Sequence, residues 1–112
     1  MDYSQLSDQE INLLVAKIQH PDKTFIESKT RSPSVVMLNH INMWIDYCNN
    51  AADAWPIIQG NGISIDYDGI DWMAYHCSCA SIKYSNPIEE HPGKPLRAAM
   101  IVFLMMKESQ HA

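Results

Sequence analysis

The chain has no long hydrophobic run and little positive charge. Its longest uninterrupted apolar stretch, Ala98 to Met106, has nine residues, far fewer than the ~20 that a membrane-spanning helix needs. Eight Lys and Arg residues against thirteen Asp and Glu residues give a net charge of −5, which disfavours a general affinity for nucleic acid or for anionic lipid. We therefore expect neither a membrane protein nor a protein that binds nucleic acid directly.

Cysteine is scarce as well, with three residues in a chain of 112. An odd number of cysteines fits a reducing compartment better than a disulfide framework. The first acidic residues, Asp2, Asp8 and Glu10, precede the first basic residue, Lys17, which is the reverse of the basic start of a secretory signal. The sequence therefore predicts a cytoplasmic protein.

The chain does contain enough apolar residues to form one hydrophobic core. Apolar residues make up 46% of the chain and charged residues 19%, a balance typical of a folded globular protein. The length is close to that of a single average domain. We therefore expect one domain over residues 1–112.

The first helix is predicted from its start signal. Ser7 can cap the helix, and Glu10 can return the hydrogen bond from the third helical position. Apolar residues then recur with helical spacing until His20-Pro21 stops the pattern. We place this helix at residues 8–19.

A second, short helix is predicted after Asn50, which is a good capping residue in front of an alanine-rich segment. Pro56 removes one backbone hydrogen bond inside the helix and should bend it. Gly60 and Gly62, on either side of Asn61, should end it.

The last helix is predicted to begin with Pro95 at its first position and to run to about Lys107. Its apolar run covers the whole helical wheel, so the helix should have two apolar sides. One side is expected to face the sheet through Leu96, Ala99, Met100 and Phe103. The other is expected to face outward as an interface with a charged rim, formed by Arg97, Ile101, Leu104, Met105 and Glu108.

The segment 24–47 is ambiguous. Short β-prone runs at residues 24–26 and 35–38 favour a loose hairpin. The alternative is a helix that begins at Ser32-Pro33 and runs through Val36 and His40 towards Trp44.

A clearer hairpin is predicted over residues 63–77. Hydrophobic alternation runs on both sides of Asp68-Gly69, which is typical of a two-residue turn. One face should carry Ile63, Ile65 and Tyr67, paired across the ladder with Ile70, Trp72, Ala74 and His76. We expect Asp66, Asp68 and Asp71 to be turn and solvent-face residues.

Together with the helices, the strands predict an α+β fold: a small antiparallel sheet of about four strands, covered by the first and last helices, with the short bent helix at one end.

Two stretches carry a resemblance to a known family. These are residues 50–65, with Pro56-Ile57-Ile58 followed by Gly62-Ile63-Ser64, and residues 94–100, which read Lys-Pro-Leu-Arg-Ala-Ala-Met. Together with Trp72 and Ala74, they resemble the NinX-like phage proteins over about residues 47–107. The N-terminal helix resembles the same family more loosely, through Val15-Ala16-Lys17. The resemblance implies a phage or prophage accessory protein of the bacterial cytoplasm, and it brings no assigned activity.

A metal or catalytic site is the main alternative. His76, Cys77 and Cys79 are close in sequence, and Cys48 and His91 could add outside ligands. The spacing argues against a zinc site, because Cys-x-Cys lacks the usual Cys-x-x-Cys geometry and a strand places His76 on the opposite face. We expect buried or idle thiols, no metal and no cofactor.

The remaining candidates are aromatic and acidic. Trp44, Trp55 and Trp72 are not interleaved with Lys or Arg as a channel for single-stranded nucleic acid requires, so we expect them to pack in the core.

The leading function is therefore a non-enzymatic one: binding to an unidentified host or phage protein, together with self-association as a dimer through the outward side of the last helix. The alternatives are a Cys/His-based metal-dependent or catalytic module and a weakly acidic mimic of DNA.

Overall fold

The computed structural model describes residues 2–39, 41–76, 79–85 and 93–110. Within these ranges the chain forms three α-helices and two three-stranded antiparallel sheets. The α+β class is confirmed. The strands are divided over two small sheets, where we expected a single sheet of about four strands.

Helix α1 spans Asp8–Gln19, as predicted. Both halves of the capping box are present. Ser7 Oγ accepts from the Glu10 amide at 3.1 Å, and the Ser7 amide donates to Glu10 Oε1 at 3.0 Å. Ile11 and Val15 are fully buried on one face of the helix, so the cap and the buried face together fix α1.

Sheet A consists of β1 (Phe25–Glu27), β2 (Val35–Met37) and β3 (Met43–Ile45), in that order. All pairs are antiparallel, so the predicted hairpin is confirmed and the alternative helix from Ser32-Pro33 is wrong. The β-branched pair at the start of β2 favours extended backbone over helix. The inner face of the sheet lies towards α1.

Helix α2 spans Ala51–Asn61 and is capped as predicted. Asn50 Oδ1 accepts from the Ala52 amide at 2.9 Å. Gly62 ends the helix in the left-handed conformation, with φ of 64°, which glycine adopts without steric strain. Pro56 lies inside the helix, where it cannot donate to the backbone ladder.

Sheet B consists of β4 (Ile63–Tyr67), β5 (Trp72–His76) and β6 (Cys79–Ser85), again in sequence order and antiparallel. In its register Ile63 lies opposite His76, Ile65 opposite Ala74 and Tyr67 opposite Trp72, so the first predicted set of residues pairs with three of the four predicted partners. Strand β6 was not anticipated, because its sequence mixes Ser, Lys and apolar residues without a clean alternation.

The connection between β4 and β5 has four residues, 68–71, and is longer than the predicted two-residue turn. Asp68 Oδ1 accepts from the amides of Ile70 at 2.8 Å and Asp71 at 2.7 Å. These bonds hold both residues in the turn and out of the ladder. The pairing predicted for Ile70 is therefore wrong, and its side chain is 64% exposed. The predicted turn role of Asp68 is confirmed.

Helix α3 spans Pro95–Gln110 and is the centre of the molecule. It contacts all three strands of sheet B on one side, and it also contacts α1 and α2. A helix that is apolar all round has to be covered all round. Here the cover is intramolecular, and seven residues in succession, Ala98 to Leu104, are buried.

Candidate functional site

A buried ionic cluster joins the N-terminal ends of α1 and α3. The Arg97 side chain is fully buried, and its Nη1 donates to Asp8 Oδ1 at 2.7 Å. Its Nη2 donates to the Leu6 carbonyl oxygen at 2.7 Å, and Lys94 forms a second ion pair with Asp8. Burial raises the pKa of Asp8, but the hydrogen bonds from Lys94 and Arg97 outweigh it and hold the pKa below 3.8. The cluster fastens the N-terminal segment to the last helix and exposes no guanidinium to a ligand.

A second polar centre surrounds Asn12, which is fully buried. Its Nδ2 donates to the Pro33 carbonyl oxygen at 2.8 Å and to Asp46 Oδ1 at 2.9 Å, and its Oδ1 accepts from the Cys48 amide at 3.0 Å. One side chain thus ties α1 to the segments before β2 and after β3.

The Cys48 thiol is buried in this region. Burial raises its pKa, and the nearby Asp8 carboxylate raises it further. Because the thiolate is the reactive form, both the burial of Cys48 and its raised pKa disfavour reactivity of this thiol.

The interface predicted on α3 does not face outward. Arg97 and Ile101 are fully buried, Leu104 is 4% exposed, and Met105 is half-buried. Of the five predicted residues, only Glu108 is exposed, and its carboxylate accepts from the Tyr3 hydroxyl. That prediction is wrong because α1 and the N-terminal segment occupy the side of α3 that we expected to be free.

The exposed apolar surface lies on sheet A instead. Ile26, Val36 and Trp44 are in register across β1, β2 and β3, and they form a row that we call the outer face. Ile26 is 53% and Trp44 is 41% exposed, while Val36 is half-buried. The Arg31 guanidinium lies 5.0 Å from the centroid of the Trp44 ring. A connected apolar row of this kind is typical of a binding surface.

The expectation that the tryptophans pack in the core is wrong for two of the three. Trp44 belongs to the outer face, and Trp55 on α2 is 56% exposed. Trp72 is half-buried and stacks on Tyr67, with ring centroids 5.0 Å apart. The available signal was the alternation of side chains between the two faces of each strand, which places the middle residues Ile26, Val36 and Trp44 on one face. Strands of three residues are too short to show this alternation clearly.

A pocket of about 280 Å³ lies where the end of α1, strand β3 and the first turns of α2 meet, and we call it the α1–β3–α2 pocket. Its apolar lining includes Met43, Ile45, Ala52, Pro56 and Ile57, and its polar lining consists of Gln19, His20, Tyr47 and Asp53. Asp53 Oδ2 accepts from the Asp46 amide at 3.0 Å. Burial raises the pKa of Tyr47 to about 12, and the Asp53 carboxylate adds to that rise.

The sequence does not indicate this pocket, because three elements that are distant along the chain assemble it. The combination of apolar walls, a few convergent polar groups and a shifted pKa is typical of a ligand site. Two other clefts, of about 330 Å³ between α1 and α3 and about 270 Å³ beside Leu6 and Glu27, are also present.

The predicted Cys/His alternative falls largely outside the described residues, which exclude Cys77, His91 and the side chain of Cys79. In the part of the chain that the structure describes, no group of three or more His, Cys, Asp or Glu side chains is placed to hold a metal ion. In the same part, no helix has the combined length and apolarity that a bilayer crossing requires.

A comparison with models of known protein families gives a match over nearly the whole chain. The family model described as "Bacteriophage P22, NinX" matches residues 2–107. A search of curated proteins and a search of solved structures gave no match. The match includes residues 47–107 and α1, which carried the resemblance, and it also covers all of sheet A.

Proposed function

Since the chain belongs to the bacteriophage P22 NinX family, we propose that it is an accessory protein of a phage or prophage that acts in the bacterial cytoplasm by binding another protein. In this proposal it is not an enzyme, and its partner is a host or phage protein. The outer face of sheet A is the binding surface.

The observation that carries the proposal is the outer face itself. Ile26 and Trp44 leave about half of their surface in contact with water, although the same chain buries nearly every apolar side chain of α3. Exposed apolar rows rimmed by polar residues mark interaction surfaces on otherwise well-packed proteins. Tryptophan and arginine, here in contact as Trp44 and Arg31, are also the residue types most enriched at binding hot spots.

The test uses two matched double variants. The outer-face variant is Ile26→Ser with Trp44→Ser. The control is Tyr67→Ser with Ile70→Ser, which changes two similarly exposed apolar residues at the end of β4 and in the turn that follows it. Each tagged protein is expressed in phage-infected bacteria, cross-linked and recovered, and the retained proteins are compared. We expect proteins that wild type and control retain to be missing from the outer-face variant.

Equal retention by all three proteins would contradict the proposal, and so would equal loss in both variants. Light scattering on the purified proteins identifies the occupant of the outer face. A mass of two chains for wild type that falls to one chain in the outer-face variant would show that the partner is a second copy of this protein.

A further inference from the structure

We propose that the α1–β3–α2 pocket receives a lysine side chain of the protein partner, with its ammonium group at the Asp53 carboxylate. The inference rests on the proposed function and names one group that the partner must present. It does not depend on the outer face being the binding surface.

The charge of the pocket favours a cation. Asp53 is the one carboxylate among the described residues that line it, and none of those residues is Lys or Arg. Asp53 and Tyr47 line the pocket together, and the Asp53 carboxylate contributes to the raised pKa of the Tyr47 hydroxyl. A cationic group that enters the pocket is therefore attracted by the Asp53 carboxylate, which has no Lys or Arg beside it among the described lining residues.

The helix end that lines the pocket also favours a positively charged ligand. The C-terminal end of α1, at Gln19 and His20, lines the pocket, and the C-terminal end of a helix dipole attracts positive charge. At the N-terminal end of α2, three of the first four amides are already bonded within the chain and are not available to an anion. The amide of Ala52 donates to Asn50 Oδ1, and the amides of Asp53 and Ala54 donate to the Asn50 carbonyl oxygen.

The apolar walls of the pocket and the more available oxygen of Asp53 indicate which kind of cationic group fits. Asp53 Oδ2 already accepts from the Asp46 amide, so Oδ1 is the more available of the two carboxylate oxygens for a ligand. Two oxygens of unequal availability suit the point charge of an ammonium better than a guanidinium, whose two parallel donors use both oxygens of a carboxylate. The apolar walls at Met43 and Pro56 suit the aliphatic stem of lysine.

The pocket is also placed where a partner would reach it. Met43 lines the pocket and Trp44, the next residue of β3, belongs to the outer face. Strand β3 is an edge strand of sheet A, so the pocket and the outer face lie on either side of one strand edge. A protein that covers Trp44 can therefore extend one side chain over this edge into the pocket.

The test titrates the purified full chain with butylammonium, a probe that carries the stem and charge of lysine, and follows amide NMR shifts. Butyrate and propylguanidinium are the comparison probes. We expect saturable shifts at residues 43, 52 and 53 with butylammonium, weaker binding of propylguanidinium and none of butyrate. Equal or tighter binding of propylguanidinium or butyrate would overturn the assignment, and so would the absence of saturable shifts with butylammonium.

Two variants show whether the binding uses the proposed contacts. Asp53→Asn keeps an oxygen for the Asp46 amide but removes the charge, and it should weaken butylammonium binding by about tenfold or more. Asp66→Asn removes the same charge from sheet B, where Asp66 accepts from Tyr75, and should leave binding unchanged. If Asp53→Asn fails to fold, Ala52→Leu narrows the pocket from an exposed helical position and should also abolish binding. Wild-type affinity in a folded Asp53 or Ala52 variant would overturn the proposal.

The failure of this inference and the failure of the proposed function are distinguishable. Butylammonium binding is measured on purified protein and needs no partner, whereas partner retention is measured on an outer-face variant whose pocket is intact. In the retention assay, Asp53→Asn should reduce the amount of partner recovered and Asp66→Asn should not.

Discussion

Sheet A and sheet B have the same number of strands and the same antiparallel order, but they bury their apolar residues to different extents. Sheet B has strands of five, five and seven residues, and all three contact α3. Sheet A has strands of three residues each, and it contacts α1 through β1 and β2. On its other side, Ile26 and Trp44 are exposed and Val36 between them is half-buried.

This difference separates the part of the molecule that provides stability from the part that can bind. Burial of apolar surface is the main favourable term in folding, and most of it is concentrated on α3. Sheet A adds an inner face with Val35 and Met37 fully or almost fully buried, and its outer face can then remain exposed without loss of the core. Substitutions on the two sides should therefore have opposite effects on stability and on binding.

The largest effect on stability is expected at Phe103, which is fully buried on α3. Phe103→Ala should lower the free energy of unfolding by about 4 kcal/mol, because it removes a large buried side chain and leaves a cavity. Phe25→Ala makes the same change at a half-buried position of sheet A and should lower it by less than half as much. Urea unfolding measures both, and equal losses would contradict the division between the two sheets.

The next largest effect is expected at the ionic cluster that joins α1 to α3. Arg97→Leu should lower the free energy of unfolding by about 3 kcal/mol, because it removes one partner of a buried ion pair. The loss should stay at the lower end of the range for such pairs because Lys94 still contacts Asp8. The matched control is Arg31→Leu, at an exposed arginine that contacts Trp44, and it should change stability by less than about 1 kcal/mol.

The same ionic cluster also predicts how the stability of the folded state changes as the pH falls. The folded pKa of Asp8 lies below its unfolded value of 3.8, so its ionised form stabilises the folded state. That contribution is present above pH 3.8 and is lost as the pH falls through the folded pKa. Asp8→Asn should therefore weaken the acid dependence of unfolding, and an unchanged profile would show that other carboxylates cause it.

A smaller effect is expected at Asn12, which ties α1 to the segments on either side of sheet A. Asn12→Ala leaves the Cys48 amide and the Pro33 carbonyl without this partner and should lower the free energy of unfolding by about 2 kcal/mol. Asn42→Ala, at an exposed position in the same part of the chain, should change it by less than about 0.5 kcal/mol. Hydrogen exchange should rise mainly in sheet A in the first variant, and a uniform rise would contradict the assignment.

The features predicted correctly are those that local chemistry determines. The Ser7 and Glu10 capping pair, the Asn50 cap and the alternation from Ile63 to Tyr67 each act within a few residues, so one sequence contains the whole signal. The surroundings of α3 are not a local property. An apolar wheel is compatible with an outward interface and with complete burial, and contacts with α1 and α2, which are distant in sequence, decide between the two.

The binding residues were missed for a related reason. The α1–β3–α2 pocket combines Gln19, Met43 and Asp53, and no spacing in the sequence indicates that they meet. Trp44 was assigned to the core because large aromatic residues are usually well buried. Only the pairing of three short strands shows that it lies on the opposite side of sheet A from Val35 and Ile45.

The smallest effect on stability should accompany the largest effect on binding. Trp44→Ser should lower the free energy of unfolding by less than about 1 kcal/mol, since its ring is already 41% exposed and its outer-face neighbours remain in place. The same change should remove most of the partner retained by wild type, because a truncated aromatic anchor loses far more at an interface than on a free surface. Thermal unfolding and the retention assay on one preparation measure both quantities. A strongly destabilised Trp44→Ser protein would show that the outer face contributes to the fold, and the contrast between the two sheets would then fail.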